Sequence, residues 1–301
     1  MSVDAPLPSG PRTIAGRDVG ALGFGCWRLT DADAGRCADL VEAAVELGMN
    51  LVDNADVYGL DWGGRGFGTC EEMLGEVLRR RPGLRDRIVL ATKGGIVPGV
   101  PYVSNRDYLT TACEASLRRL GVDVIDLYQI HRPDPYTHPA EVAETLMALI
   151  DRGVVKAVGV SNHTVAQTRA LQAHLDVRLT STQPEFSAVA LDPLRDGTLD
   201  LCTETGIAPL AWSPLGGGRL ASGDGLRLEL TAALDSIAAA HDVSRAAVAV
   251  AFVLAHPSAP IAIVGSQNVR RLAELSAATS VELTRAQVYR IIEASDGRPL
   301  P

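Results

Sequence analysis

RDYLTTACEASLRRLGVDVIDLYQIH, residues 106–131, holds one helix, one stop and one strand in that order. Leu109, Ala112, Cys113, Ser116, Leu117 and Leu120 recur at helical spacing and form a single continuous apolar face. Gly121 is the residue expected just past a last helical turn, because it adopts the left-handed conformation without a Cβ clash. The run 124–130 then reads as a strand, closed by the polar His131. A helix that returns so quickly to a strand is half of a parallel β-α-β repeat.

The same alternation extends in both directions. Strands are expected at 21–26, 49–54 and 88–93 before this unit, and at 154–160, 179–183, 207–212 and 261–264 after it. Helices are expected at 37–47, 71–81, 140–151, 164–175, 228–241, 244–256 (with Ser244 as N-cap) and 285–293, and only the last of these follows the final strand. Eight strands with helices between them, and no linker or composition break, predict an α/β fold. The expectation is one domain over 1–301, a (β/α)8 barrel of the TIM type. An open doubly wound sheet fits the alternation as well. Residues 12–19 are expected to form a small hairpin covering the barrel floor.

Composition narrows the partners. Of 301 residues 47% are hydrophobic and 21% charged, with a formal net charge of -8 and both signs scattered. Such a chain has no general attraction to a phosphate backbone or an anionic membrane, so neither nucleic acid nor membrane is expected as a partner. The short basic clusters Arg79–Arg80–Arg81 and Arg118–Arg119 read as solvated surface. Five cysteines, an odd number without a C-x-x-C pair, fit a reducing compartment. The opening MSVDAPLPSGPR has no apolar leader segment, and a cytoplasmic location is expected. A strict G-x-G-x-x-G is missing, since Gly64, Gly66 and Gly68 precede a helix but do not follow a strand. Walker-type phosphate loops, H-E-x-x-H and G-x-S-x-G are likewise missing, and the histidines lack metal-ligand spacing, so no metal is expected.

In a (β/α)8 barrel chemistry is placed at the C-terminal strand ends. Here those ends carry Asp53, Lys93 and His131, with Tyr58 in the loop after Asp53. Lysine is rarely buried without a partner, and Asp53 is the natural one. A free phenol titrates near ~10, too weakly acidic to protonate an alkoxide well at neutral pH. A cation beside Tyr58 is expected to lower that value, with Asp53 holding Lys93 and His131 orienting the carbonyl or assisting proton transfer. A structural Lys–Asp pair, or a Schiff-base lysine at Lys93, uses the same residues.

LVDNADVYG (51–59), LATKGG (90–95), IHRPDP (130–135), VGVSN (158–162) and AWSPLGGGRL (211–220) resemble the strand-end motifs of the aldo-keto reductases. The likeness spans nearly the whole chain, and HRPDP, LRDGTLD and WSPLGGGRL resemble especially the bacterial YdhF-like oxidoreductase branch. The resemblance implies a barrel that binds NADPH without a Rossmann fingerprint, and a catalytic tetrad of Asp53, Tyr58, Lys93 and His131. It implies that Ser161, Asn162 and Gln183 hold the nicotinamide carboxamide and that Trp212 stacks on its ring. Ser213 to Arg219, including Leu215 and Gly217, would wrap the pyrophosphate. Gly265, Ser266 and Arg271 would take the adenosine end, where Leu275 replaces a common Asn and one cation is missing. Gly25, Cys26, Trp27 and Asp53 complete the implied cofactor contacts. NADPH is the expected cofactor and NADH the alternative.

Trp27, Tyr58, Trp62 and His131 are the candidate substrate contacts. The short C-terminal tail suggests an open pocket for a small carbonyl compound, in a monomer or weak homo-oligomer. The competing reading is a non-catalytic, cofactor-binding regulatory or redox-sensing subunit, against which the intact tetrad argues.

Overall fold

The structure is a computed structural model and describes residues 10–61 and 63–301. Two short strands, β1 (Thr13–Ile14) and β2 (Arg17–Asp18), pair antiparallel as a hairpin. Eight more follow: β3 (Leu22–Gly25), β4 (Leu51–Asp53), β5 (Val89–Gly94), β6 (Ile125–Ile130), β7 (Val155–Ser161), β8 (Ser181–Gln183), β9 (Ala208–Ala211) and β10 (Ile261–Val264). Each pairs in parallel with its neighbour and β10 returns to β3, so the sheet closes. The fold is therefore a (β/α)8 barrel, and the open sheet is excluded.

Local sequence explains where the helices begin and end. Arg106–Leu120 starts where the Asn105 side chain accepts from the Tyr108 N–H, and stops at Gly121 with φ +66°. Ser244 caps Arg245–Leu254, and a Thr164–Gln167 capping box opens Val165–Gln172. The sequence reading is corrected after the last strand, where a helix Val269–Ser276 precedes Arg285–Asp296. It is short and buries only Leu272 and Leu275, but the Asn268 side-chain Oδ1 accepts from the Arg270 and Arg271 N–H groups and fixes its start. A second correction concerns Arg119. It is not a solvated surface cation but binds the fully buried carboxylate of Glu71 at 2.6 Å.

Strand alternation builds the interior in layers. Leu51, Val89, Ala91, Leu127, Leu210 and Ile261 fill the lower barrel, and Ile14 from the hairpin, fully buried, packs among them. The hairpin thus closes the end where the strands begin. One inward step higher, β4, β5 and β6 change from Leu51, Ala91 and Leu127 to Asp53, Lys93 and Gln129. The upper interior is polar, directly beneath the loops at the C-terminal face.

Candidate active site

Lys93 is fully buried and its Nζ has three oxygen partners. It donates to Asp53 Oδ2 at 2.6 Å, to the Asn54 carbonyl at 2.8 Å and to the Tyr58 hydroxyl at 3.2 Å. Tyr58 reaches this point from a tight loop. Gly59 there has φ +99°, and a Cβ on it would lie 2.4 Å from Thr69 Cβ, so only glycine fits. The His131 ring stands edge-on to Tyr58, with centroids 5.7 Å apart. Asp53, Lys93 and His131 from the strand ends and Tyr58 from its loop therefore meet at one place.

Their electrostatics depart from expectation in one respect. Burial pushes the Tyr58 phenol above its ordinary range, and although Lys93 pulls it down, the net direction is upward, with Asp53 adding to the rise. The expected lowering by Lys93 is real as one contribution but does not win. Burial also works against the Lys93 ammonium, but Asp53 and Tyr58 outweigh it and hold Lys93 above the usual lysine range. His131 is held well below the histidine range by burial, then by the charges of Lys93 and Arg132, and is neutral at neutral pH. Its Nδ1 has no hydrogen-bond partner among the described residues.

Above these residues lies a cleft of about 750 Å³. Gly25, Trp27, Asp53, Tyr58 and His131 border it, as do Ser161, Asn162, Gln183 and Trp212. Ser213, Leu215 and Gly217 border it too, with Gly265, Ser266 and Arg271. The polar side is internally tied. Trp212 Nε1 donates to Asn162 Oδ1 at 2.9 Å, Asn162 Nδ2 to Ser161 Oγ at 2.7 Å, and Gln183 Nε2 to Asp53 Oδ1 at 3.0 Å. An indole face, an amide row and a glycine turn that admits close backbone approach are what an extended dinucleotide requires. A Cβ on Gly217 would meet nothing within 4 Å, so that backbone is open.

Two expectations change. Cys26 is fully buried and its side chain does not border the cleft; burial, Cys70 and Asp53 push its thiol well up. Arg219 does not border the cleft either, because its Nε donates to Gly216 O at 3.1 Å and the side chain folds back on its own turn. Trp62 lies outside the described residues. Conversely Arg28, Arg132, Glu274 and Leu275 border the cleft without having been proposed as ligand contacts. Arg132 was signalled by its place directly after His131.

No group of three or more metal-ligating side chains occurs among the described residues. Nor is any single helix among them long and apolar enough to cross a membrane.

The sequence model of the aldo/keto reductase family matches residues 21–296. The chain is 47% identical over 306 residues to a 6-dehydroglucose reductase of Novosphingobium aromaticivorans, covering 99% of both proteins. It is 37% identical over 303 residues to the oxidoreductase YdhF of Escherichia coli, covering 96% of this chain and 98% of that one. Among solved structures, an aldo-keto reductase from Klebsiella pneumoniae in complex with NADPH matches with a TM-score of 0.81 and 25% identity, over 98% of this chain and 97% of that one.

Proposed function

The chain belongs to the aldo/keto reductase family, and from that premise we propose that it reduces the aldehyde of a sugar-like, polyhydroxylated molecule to an alcohol, with NADPH as cofactor. The observation that carries the reading is the position of Lys93 Nζ, 2.6 Å from Asp53 and 3.2 Å from the Tyr58 hydroxyl at the cleft floor. The sugar aldehyde is suggested by the 47% identical relative and by Arg132, which borders the cleft beside His131 and makes no ion pair among the described residues. A guanidinium offers several donors to hydroxyl oxygens.

When bound, NADPH supplies the hydride. As the carbonyl oxygen gains charge, Tyr58 gives it the phenolic proton, and the ammonium of Lys93 stabilises the phenolate left behind. Asp53 keeps Lys93 charged and in place. His131, being neutral, donates a hydrogen bond to the carbonyl oxygen without adding a second positive charge beside Lys93. The phenol, raised from its ordinary range, is protonated at neutral pH, so the acid needed for reduction is present. A Schiff-base role for Lys93 is disfavoured, since that chemistry needs an accessible neutral amine and Lys93 is charged and does not border the cleft.

The test is NADPH oxidation with the 6-aldehyde of glucose and a panel of simple aldehydes. The sugar aldehyde should give a kcat/KM higher by about tenfold or more, the effect of a charge-assisted contact. Tyr58→Phe should retain NADPH binding but lose about 10²–10⁴ in kcat. A wild-type protein that oxidises NADPH with none of these compounds would refute the reading.

A further inference from the structure

The buried carboxylate of Asp53 needs donors on both oxygens. Oδ2 takes Lys93, while Oδ1 takes two amides, Gln183 Nε2 at 3.0 Å and Gln129 Nε2 at 3.3 Å. Gln183 borders the cleft, where a bound molecule can compete for its amide. Gln129 is fully buried and does not border it, so its contact with Asp53 persists when the cleft fills. Behind it the Ser181 hydroxyl donates to Gln129 Oε1 at 3.2 Å.

The barrel register builds this arrangement. Lys93, Gln129, Gly159 and Ser181 are successive Cα partners across β5, β6, β7 and β8. Glycine at 159 is what lets the outer two of the last three meet. A Cβ there would lie 2.1 Å from Ser181 Oγ and 3.3 Å from Gln129 Cγ. An apolar side chain of similar volume would fill the space equally well, and burying an amide is costly unless its bonds do something an apolar group cannot.

We propose that Gln129, held from behind by Ser181 across Gly159, is a positioning residue that fixes the carboxylate of Asp53 and through it the Lys93–Tyr58 contact. This rests on the reductase reading above. The groups facing Tyr58 are Lys93 from β5, Asp53 from β4, Cys26 after β3 and His131 after β6. Removing a donor from Asp53 leaves its charge less dispersed, which opposes the Tyr58 phenolate more strongly.

The experiment compares wild type with Gln129→Met and Ser181→Ala. Tyr58 titration is read by ultraviolet difference absorbance, each protein against its own Tyr58→Phe counterpart. Gln129→Met should move that titration up by about one pH unit and lower kcat for alcohol oxidation at fixed pH by about tenfold. NADPH Kd should stay unchanged. An unmoved Tyr58 titration overturns the proposal even if the variant melts earlier, because a packing role predicts only that. Should Gln129→Met fail to fold, Ser181→Ala carries the same test with a smaller upward shift, and no shift there overturns it equally. If the wild type reduced no carbonyl, the proposed function would fall while the titration still reported whether Gln129 governs Asp53.

Discussion

Trp212 is held by its edge and borders the cleft. Its N–H is committed to Asn162, whose backbone adopts φ +55° so that one amide serves both Trp212 and Ser161. Trp212→Ala should weaken NADPH and NADP⁺ alike by about tenfold, because stacking does not depend on the 2′-phosphate. Truncating a core tryptophan would instead cost roughly 3–5 kcal/mol of stability. Fluorescence titration beside thermal melting separates the two, and normal binding in a strongly destabilised variant would reject the platform. Arg271 argues differently, since it makes no ion pair among the described residues and borders the cleft with Glu274. Arg271→Ala should cost NADPH about tenfold and NADH little, and equal losses for both would reject a 2′-phosphate contact. Asp53, Lys93 and His131 were legible because each closes an apolar run, and Tyr58 because it follows Asp53 in the loop above the same strand. Cys26 and Arg219 misled because they occupy motif positions while their side chains turn away. The direction of the Tyr58 titration was not legible, since spacing reveals the nearby cation but not how far the surrounding protein withdraws the hydroxyl from water.

At the scale of elements, the hairpin shows how little sequence a structural role needs. Two residues per strand suffice, because Val19 N–H closes the turn on Arg12 O at 3.0 Å and Ile14 enters the barrel. Ile14→Ala should cost about 2–5 kcal/mol, the range for emptying a packed aliphatic site. It should leave kcat nearly unchanged, because Ile14 packs against the starts of β4, β5 and β10 and the acid is carried at their opposite ends. Denaturant unfolding with kcat on the same preparation checks this; lost kcat at full stability would contradict it. Helix Arg106–Leu120 was readable to the residue, since a long apolar stripe and a glycine stop agree. Helix Val269–Ser276 was not, since eight residues carrying two buried leucines give too short a period to recognise. Gln129 escaped for a related reason. Within an apolar strand one amide looks incidental until the closed register sets it beside Asp53.

For the molecule as a whole, acid should weaken the fold through histidines kept neutral by burial. His163 is shifted from the ordinary 6.5 to about 4 by burial, only partly offset by its hydrogen bond to Ser161 O. The sign follows from proton binding: below about 6.5 the unfolded chain takes up a proton that the folded one refuses, so stability is lost as pH falls. That loss runs from about 6.5 down to about 4 and then stops, because below it both states are protonated. His131 acts in the same direction and further. Asp56 opposes them, since burial and Glu71 hold its carboxyl well above the usual range, and its folded form gains relative stability as pH falls. The net melting curve therefore mixes signs, and a single variant is needed to isolate one group. His163→Gln keeps a neutral polar side chain but cannot titrate. Relative to it, the wild type should lose stability steadily between pH 6.5 and 4 and run parallel above pH 7. Parallel curves across the whole range would mean that His163 takes up its proton as readily in the folded protein as in the unfolded chain.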